Sequence, residues 1–107
     1  MRALILGSSG GIGRALCTAL EAGGASVTGL SRRDHGLDLT DEGSIRATLA
    51  PLAAPYDLIL VATGALEIGP HRPEKSLRTL DPAALAAQFA LNATGPILVL
   101  KHALRLL

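Results

Sequence analysis

The sequence predicts an α/β domain built on an open parallel sheet, on three observations. Short continuous apolar runs alternate with stretches of helical apolar spacing, the order expected of β-α-β units rather than of an antiparallel sheet. The composition is 49% hydrophobic but only 2% aromatic, so the core must be made of Leu, Ile, Val and Ala, as suits strands covered on both faces. The first apolar run, Ala3-Leu4-Ile5-Leu6, leads straight into the glycine-rich turn Gly7-Ser8-Ser9-Gly10-Gly11-Ile12-Gly13 and then into helical spacing. At 107 residues the chain is one domain, residues 1–107, with a modest core.

Residues 2–7 make the first strand. The first helix runs from Gly11 to Ala22, with Ile12, Ala15, Leu16, Ala19 and Leu20 as its apolar face and Gly23-Gly24 as its stop. Residues 25–30 form a second strand and residues 36–39 a short third one. A helix follows to about Leu49, capped by Thr40 or Asp41 and ended by Pro51. Residues 57–62 are nearly all apolar and make a fourth strand. Residues 64–80 carry prolines and mixed charge without a period, so they read as a loop with at most one helical turn. Asp81-Pro82, an aspartate cap followed by proline at the first helical position, opens a long helix toward Leu107 that Gly95-Pro96 interrupts.

The net charge is +1 and no aromatic residues interleave with a basic stripe, so a nucleic-acid partner has no support, whereas a small anionic ligand fits. The single Cys17 has no disulfide partner and reads as a small core residue of the first helix in a reducing compartment. Gly7 cuts the N-terminal apolar run below signal-peptide length, and the longest apolar stretch, Pro96 to Leu100, is too short to span a bilayer. A cytoplasmic protein with no membrane partner is expected. His35, His71 and His102 are scattered without metal-ligand spacing and read as surface or structural; no metal is expected. Lys101 and Arg105 read as the solvated face of the last helix or as partners of its C-terminal dipole.

A strand that ends at Gly7 and a helix that opens near Gly11 aim unpaired amide groups at whatever lies between them, a geometry suited to a pyrophosphate. The three glycines divide the work: Gly7 permits the tight reversal, Gly11 lets backbone approach phosphate, and Gly13 lets helix and strand pack closely. The alternative is a glycine-rich turn with no ligand. The GxxxGxG spacing differs from the ordinary GxGxxG fingerprint and resembles instead the short-chain dehydrogenase/reductase family. The resemblance implies a Rossmann-like doubly wound parallel sheet, here its N-terminal half, with strand order 3-2-1-4 and flanking helices. Ser8 and Ser9 would offer hydroxyls to phosphate or ribose, and Ile12 an apolar floor under the cofactor.

Ser31-Arg32-Arg33 follows the second strand, where such folds read the 2′ position of the adenosine ribose. Arginine there favours NADP over NAD, because a guanidinium pairs a phosphate through two charge-assisted bonds. Asp34 could pair with an arginine instead, leaving only a solvated loop. Leu37-Asp38-Leu39-Thr40-Asp41 resembles the family's Asp-Val-Thr-Asp segment, which makes Asp38 the adenine contact and the amide of Leu39 its support; a cap or turn aspartate is the other reading. Val61-Ala62-Thr63-Gly64 aligns with the family's Asn-Asn-Ala-Gly motif. Both asparagines are missing, yet the backbone of Ala62, Thr63 and Gly64 can still line the cofactor. The segment from Gln88 to Pro96 resembles the helix bearing the family's catalytic asparagine, which would make Asn92 the residue that holds a water near the active-site lysine; a satisfied interface asparagine is the alternative. The stretch from Glu74 to Leu107 also resembles C-factor-like members.

The family's proton transfer needs a serine, a tyrosine and a lysine four residues after it. The only tyrosine, Tyr56, has Leu60 at that spacing, and the sequence ends at Leu107, before the family's Tyr-x-x-x-Lys would fall. The resemblance therefore implies an NADP-preferring oxidoreductase acting by hydride transfer on an unknown small carbonyl or alcohol, with this chain as its cofactor-binding half, truncated relative to the family. The alternative is a non-catalytic dinucleotide-binding or interaction module. An uncovered edge strand and an apolar last helix further imply a homo-oligomer.

Overall fold

A computed structural model describes residues 1–65 and 68–107. Strand β1 (Arg2–Leu6) leads through the glycine turn into helix α1 (Gly11–Ala22), which returns to β2 (Ser26–Leu30). A single helical turn, α2 (Arg32–His35), precedes α3 (Glu42–Leu49) and β3 (Leu58–Val61). After a 3-10 turn at Leu77–Thr79, α4 (Pro82–Phe89), a π-helical segment (Ala90–Thr94) and α5 (Gly95–Ala103) run on as one long helix, closed by a 3-10 turn at Leu104–Leu106.

The sheet is parallel throughout and ordered β2-β1-β3, with Leu4 opposite Thr28 on one side and Ile59 on the other. Leu4 and Leu6 face a layer made by α3 and α5, where Ile45, Leu49, Val99, Ala103 and Leu106 are all but fully buried. Ala3 and Ile5 point to the opposite face, where α1 packs across β1 and β2. This is the expected doubly wound arrangement, and the strand after the long excursion, here β3, lies beside β1 as an edge.

The expected third strand at 36–39 does not form, so among the described residues the sheet has three strands where 3-2-1-4 called for four. The reason lies in where the amides go. Gly36 adopts a left-handed conformation (φ 68°) to end α2. The N–H of Leu37 then returns to the Ser31 carbonyl at 3.3 Å, that of Asp38 donates to Ser44 Oγ at 2.9 Å, and that of Thr40 to Asp38 Oδ1 at 2.9 Å. Donors that a strand would give to β2 are used within the loop, while Leu37 and Leu39 still enter the core.

The apolar face of α1 is also rotated from the expected one. Gly13 is buried and Leu16, Cys17 and Leu20 are half-buried, but Ile12, Ala15 and Ala19 are exposed. An added Cβ at Gly13 would sit 1.9 Å from the Gly7 carbonyl oxygen, so the helix touches the turn through a residue without a side chain. That contact turns the 13-16-17-20 stripe inward.

The long helix begins as its sequence foretells, with Asp81 accepting from the Ala84 N–H at 3.0 Å and proline at the first turn. Pro96 has no N–H to offer the Asn92 carbonyl four residues earlier. The helix widens into its π turn over Ala90–Thr94, which ends two residues before that proline. Gly95, unread in the sequence beyond its role as interruption, is a contact point: a Cβ there would lie 2.7 Å from both Cβ and the carbonyl oxygen of Leu39. Lys101 and Arg105 are exposed, as a solvated face requires, and both also bond across to α3. Lys101 and His102 both bond Glu42 Oε1, at 2.5 and 3.0 Å, and the Arg105 guanidinium donates to the carbonyls of Leu49, Ala50 and Leu52, where α3 ends. These bonds tie α5 to α3.

The other face of the long helix is uncovered, with Phe89, Ile97, Leu100 and Leu104 each 60–72% exposed. Pro82–Leu106 is long and apolar enough, by length and composition, to cross a membrane. Measuring only uninterrupted apolar runs hides this, because isolated Gln, Asn and Thr break the run without making the helix polar.

Candidate functional site

The turn from β1 to α1 is shaped by its glycines. Gly7 has φ 91°, and an added Cβ would stand 2.6 Å from the Ala62 carbonyl oxygen, so both the conformation and the contact with the end of β3 require glycine. The amides of Gly7 and Ser8 donate to the Leu30 carbonyl at 2.8 and 3.1 Å, which fixes the turn to the end of β2. Gly11 differs: an added Cβ would meet nothing within 4 Å. Its bare face looks into open space.

Helix α1 also lacks the side-chain cap that α3 and α4 possess. Asp41 and Asp81 cap α3 and α4 through their carboxylates, whereas Gly10 caps α1 with no side-chain bond and no acid stands in its first turn. Its opening amides and the positive end of its dipole thus meet no acidic side chain of its own first turn or cap.

Two adjoining cavities lie at the carboxyl edge of the sheet and share Gly10 and residues 62–65 as a common wall. One is lined by Gly7, Ser9, Arg32, Leu37, Asp38, Leu39, Thr40 and Leu91, the other by Gly11, Ile12 and Asn92. The carboxyl edge is where open α/β sheets take their ligands. Ile12 is 75% exposed in this groove, an apolar side chain with no protein covering it. Of the sequence-derived candidates, Ser8, Gly13 and Arg33 do not line the groove; Gly13 is buried against the Gly7 carbonyl. Ser8 packs over Gly29 of β2, where an added Cβ would meet its side chain at 2.7 Å, and Arg33 points to solvent from α2.

Arg32 reaches the groove, and Asp34 does not engage it. The Asp34 carboxylate takes the Ser31 hydroxyl at 3.4 Å, while among the described residues the ion pairs are those of Glu42 with Lys101 and His102. Asp38 lines the same wall. Both bonds to its carboxylate, from the Thr40 amide at 2.9 Å and the Thr40 hydroxyl at 2.6 Å, fall on Oδ1. Those bonds, with a smaller contribution from the Arg32 charge, hold its carboxyl below the usual aspartate range, so it is an anion at neutral pH. It is a turn aspartate and a wall of the groove at once.

Asn92, in the π segment, grips the loop that follows β3. Its Oδ1 accepts the Ala65 N–H at 3.1 Å, and its Nδ2 donates to the Ala65 carbonyl and to Gln88 Oε1, both at 2.9 Å. Gly64, with φ 153°, admits this approach, since an added Cβ would come within 3.2 Å of Asn92 Oδ1. Neighbouring Thr63 carries a buried hydroxyl with no partner among the described residues. Gln88 escaped the sequence reading, although its place four residues before Asn92 on a helix was the available signal.

Tyr56, the chain's only tyrosine, is far from this chemistry. It is 4% exposed, its hydroxyl donates to Thr28 Oγ1 at 3.1 Å, and the Arg2 guanidinium lies 4.4 Å from its ring centre.

Together, a three-layer parallel α/β fold, an uncapped helix start behind a glycine turn and a groove at the carboxyl edge define a dinucleotide-binding domain of the Rossmann kind. The sequence matches the NAD dependent epimerase/dehydratase family over residues 3–98, and the chain belongs to that family. Solved structures agree. A small-chain dehydrogenase in complex with NADPH is 27% identical with a TM-score of 0.84, all of this chain matching 46% of that one. Protein lin1944 from Listeria innocua is 26% identical with a TM-score of 0.80, over 99% of this chain and 50% of its own. A UDP-rhamnose synthase from Acanthamoeba polyphaga mimivirus, 22% identical with a TM-score of 0.66 over 98% of this chain and 33% of its own, shares the fold. No curated relative matches the sequence. The chain spans about half the length of the first two of these solved structures. The resemblance to short-chain dehydrogenases therefore holds, and a nicotinamide dinucleotide is the cofactor class it carries.

Proposed function

We propose that this chain is the cofactor-binding half of a short-chain oxidoreductase that prefers NADP to NAD and moves hydride to or from a small carbonyl or alcohol. Arg32 carries the preference: it stands at the groove wall at the end of β2, disengaged from Asp34, where a guanidinium suits a 2′-phosphate. The NADPH in a structure 27% identical supports the same reading. The opening amides of α1 hold the diphosphate against the bare face of Gly11. Asp38 and Leu39 edge the adenine, residues 62–65 flank the adenosine, and Ile12 lies under the nicotinamide end. When bound, the nicotinamide donates or accepts the hydride; this chain's residues bind and orient it, with Asn92 shaping the wall beside it.

One observation favours a second reading, a non-catalytic dinucleotide-binding or interaction module. The buried, bonded Tyr56 hydroxyl leaves this chain without a tyrosine that can give a proton to a substrate. Titration with NADPH and NADH, followed by nicotinamide fluorescence, tests the first part: saturable binding, tighter for NADPH, is expected, and no binding overturns the proposal. Turnover of a carbonyl panel by this chain alone would dismiss the second reading.

The uncovered apolar face of the long helix fits a contact between copies of a cytoplasmic protein better than a membrane span, because the same helix is fastened to the core by Val99, Ala103 and Leu106. A monodisperse monomer in light scattering at micromolar concentration would refute this.

A further inference from the structure

We infer that Gln88 is a positioning residue for the nucleotide groove, acting by holding the Asn92 amide on the Ala65 peptide; this rests on the groove reading given under Proposed function. An asparagine amide can face a peptide group in two senses. Only one places Oδ1 on the Ala65 N–H and Nδ2 on the Ala65 carbonyl, as found at 3.1 and 2.9 Å. Reversed, donor would meet donor and acceptor would meet acceptor. The second hydrogen of Nδ2 is the one the peptide does not use, and Gln88 Oε1 takes it at 2.9 Å. Gln88 and Asn92 stand one turn apart, so this acceptor is fixed by the helix rather than by the loop. In the sense that the Ala65 peptide fixes, this third bond gives the remaining Nδ2 hydrogen an acceptor and holds the amide in place.

The consequence reaches the groove because residues 62–65 form the wall shared by both cavities. With both Nδ2 hydrogens bonded, the Asn92 side chain has no N–H left for a ligand, and its contribution is the shape of that wall. The Ala65 peptide sets which way round the amide sits, Gly64 sets how closely it approaches, and Gln88 holds it there.

The test is hydrogen exchange at the Ala65 amide in the apoprotein, measured by NMR for wild type, Gln88→Leu and Gln88→Glu, together with NADPH titration. Gln88→Leu removes the acceptor and should speed Ala65 exchange about three- to ten-fold, the loss expected of one hydrogen bond. Amides of residues 4–6 in the core should keep their rates, which a general loss of stability would not allow. Gln88→Glu keeps an acceptor and should restore Ala65 protection. NADPH affinity should follow the same order, falling about three- to ten-fold in Gln88→Leu. Unchanged Ala65 exchange in Gln88→Leu overturns the inference whatever NADPH does. Faster exchange in a protein that binds no dinucleotide would uphold the positioning role and remove the function proposed above.

Discussion

Gly11→Ala separates a ligand-binding glycine from a structural one. The added methyl meets nothing within 4 Å, so the folded chain accommodates it without strain. Alanine is also the better helix former, by up to about 1 kcal/mol in a helix interior, so unfolding should be unchanged or slightly harder. The same methyl occupies the space in front of the opening amides of α1. Losing one amide bond to a charged phosphate costs about 1.5–3 kcal/mol, which weakens NADPH binding roughly 10- to 150-fold. The control is Gly13→Ala, where the methyl would stand 1.9 Å from the Gly7 carbonyl oxygen. A backbone oxygen cannot step aside, and a loss of about 3 kcal/mol or more in folding stability is expected. Thermal unfolding and fluorescence titration of both variants make the comparison. If Gly11→Ala binds NADPH like wild type, the phosphate does not lie where the bare glycine face points, and the reasoning fails.

Arg32→Glu should weaken NADPH about ten- to hundred-fold and NADH much less; equal losses in parallel titrations would reject the 2′-phosphate assignment. Gly95→Ala pushes a methyl to 2.7 Å from Leu39 and should lower the melting temperature while disturbing the Asp38 wall, so an unchanged melting temperature would contradict the close approach. Thr63→Val replaces a buried hydroxyl that has no partner among the described residues and should stabilise the apoprotein by about 1 kcal/mol in denaturant unfolding. Glu42, pulled down to about 2 by its bonds from Lys101 and His102, binds its proton more weakly when folded than when unfolded. Its stabilising effect is therefore present above about pH 4.5 and lost as the pH falls from there toward 2. Glu42→Gln should flatten the stability profile in that window, and an unaltered profile would show that the clasp between α3 and α5 does not form in solution.

The parts of this fold that were legible in the sequence are those dictated by local chemistry. Gly7 and Gly13 announced the turn, Asp81-Pro82 announced the long helix, and the apolar runs announced β1, β2 and β3. Where tertiary contacts decided, the sequence was silent or misleading. The amides of Leu37 and Asp38 found partners in Ser31 and Ser44, so the alternation at 36–39 did not become a strand. Gly13 let α1 settle one stripe around from the face its leucines and alanines suggested. In the groove, Arg32 and residues 62–65 converge as their positions after β2 and β3 imply, while Asp38 and Leu39 reach it from a loop. Ser8 is turned away by the bare surface of Gly29, which no local pattern reveals. The Asn92 grip depends on a peptide 27 residues earlier in the chain, a pairing that only the folded molecule displays.

The central claim is that the amides at the start of α1 bind the diphosphate of a dinucleotide. Recording the amide NMR spectrum of this chain during addition of NADPH tests it residue by residue. The account predicts saturable shifts concentrated on residues 8–13, with Arg32 and residues 62–65 moving at the same concentration. Saturation elsewhere with residues 8–13 unmoved, or no shifts at millimolar NADPH, would contradict it.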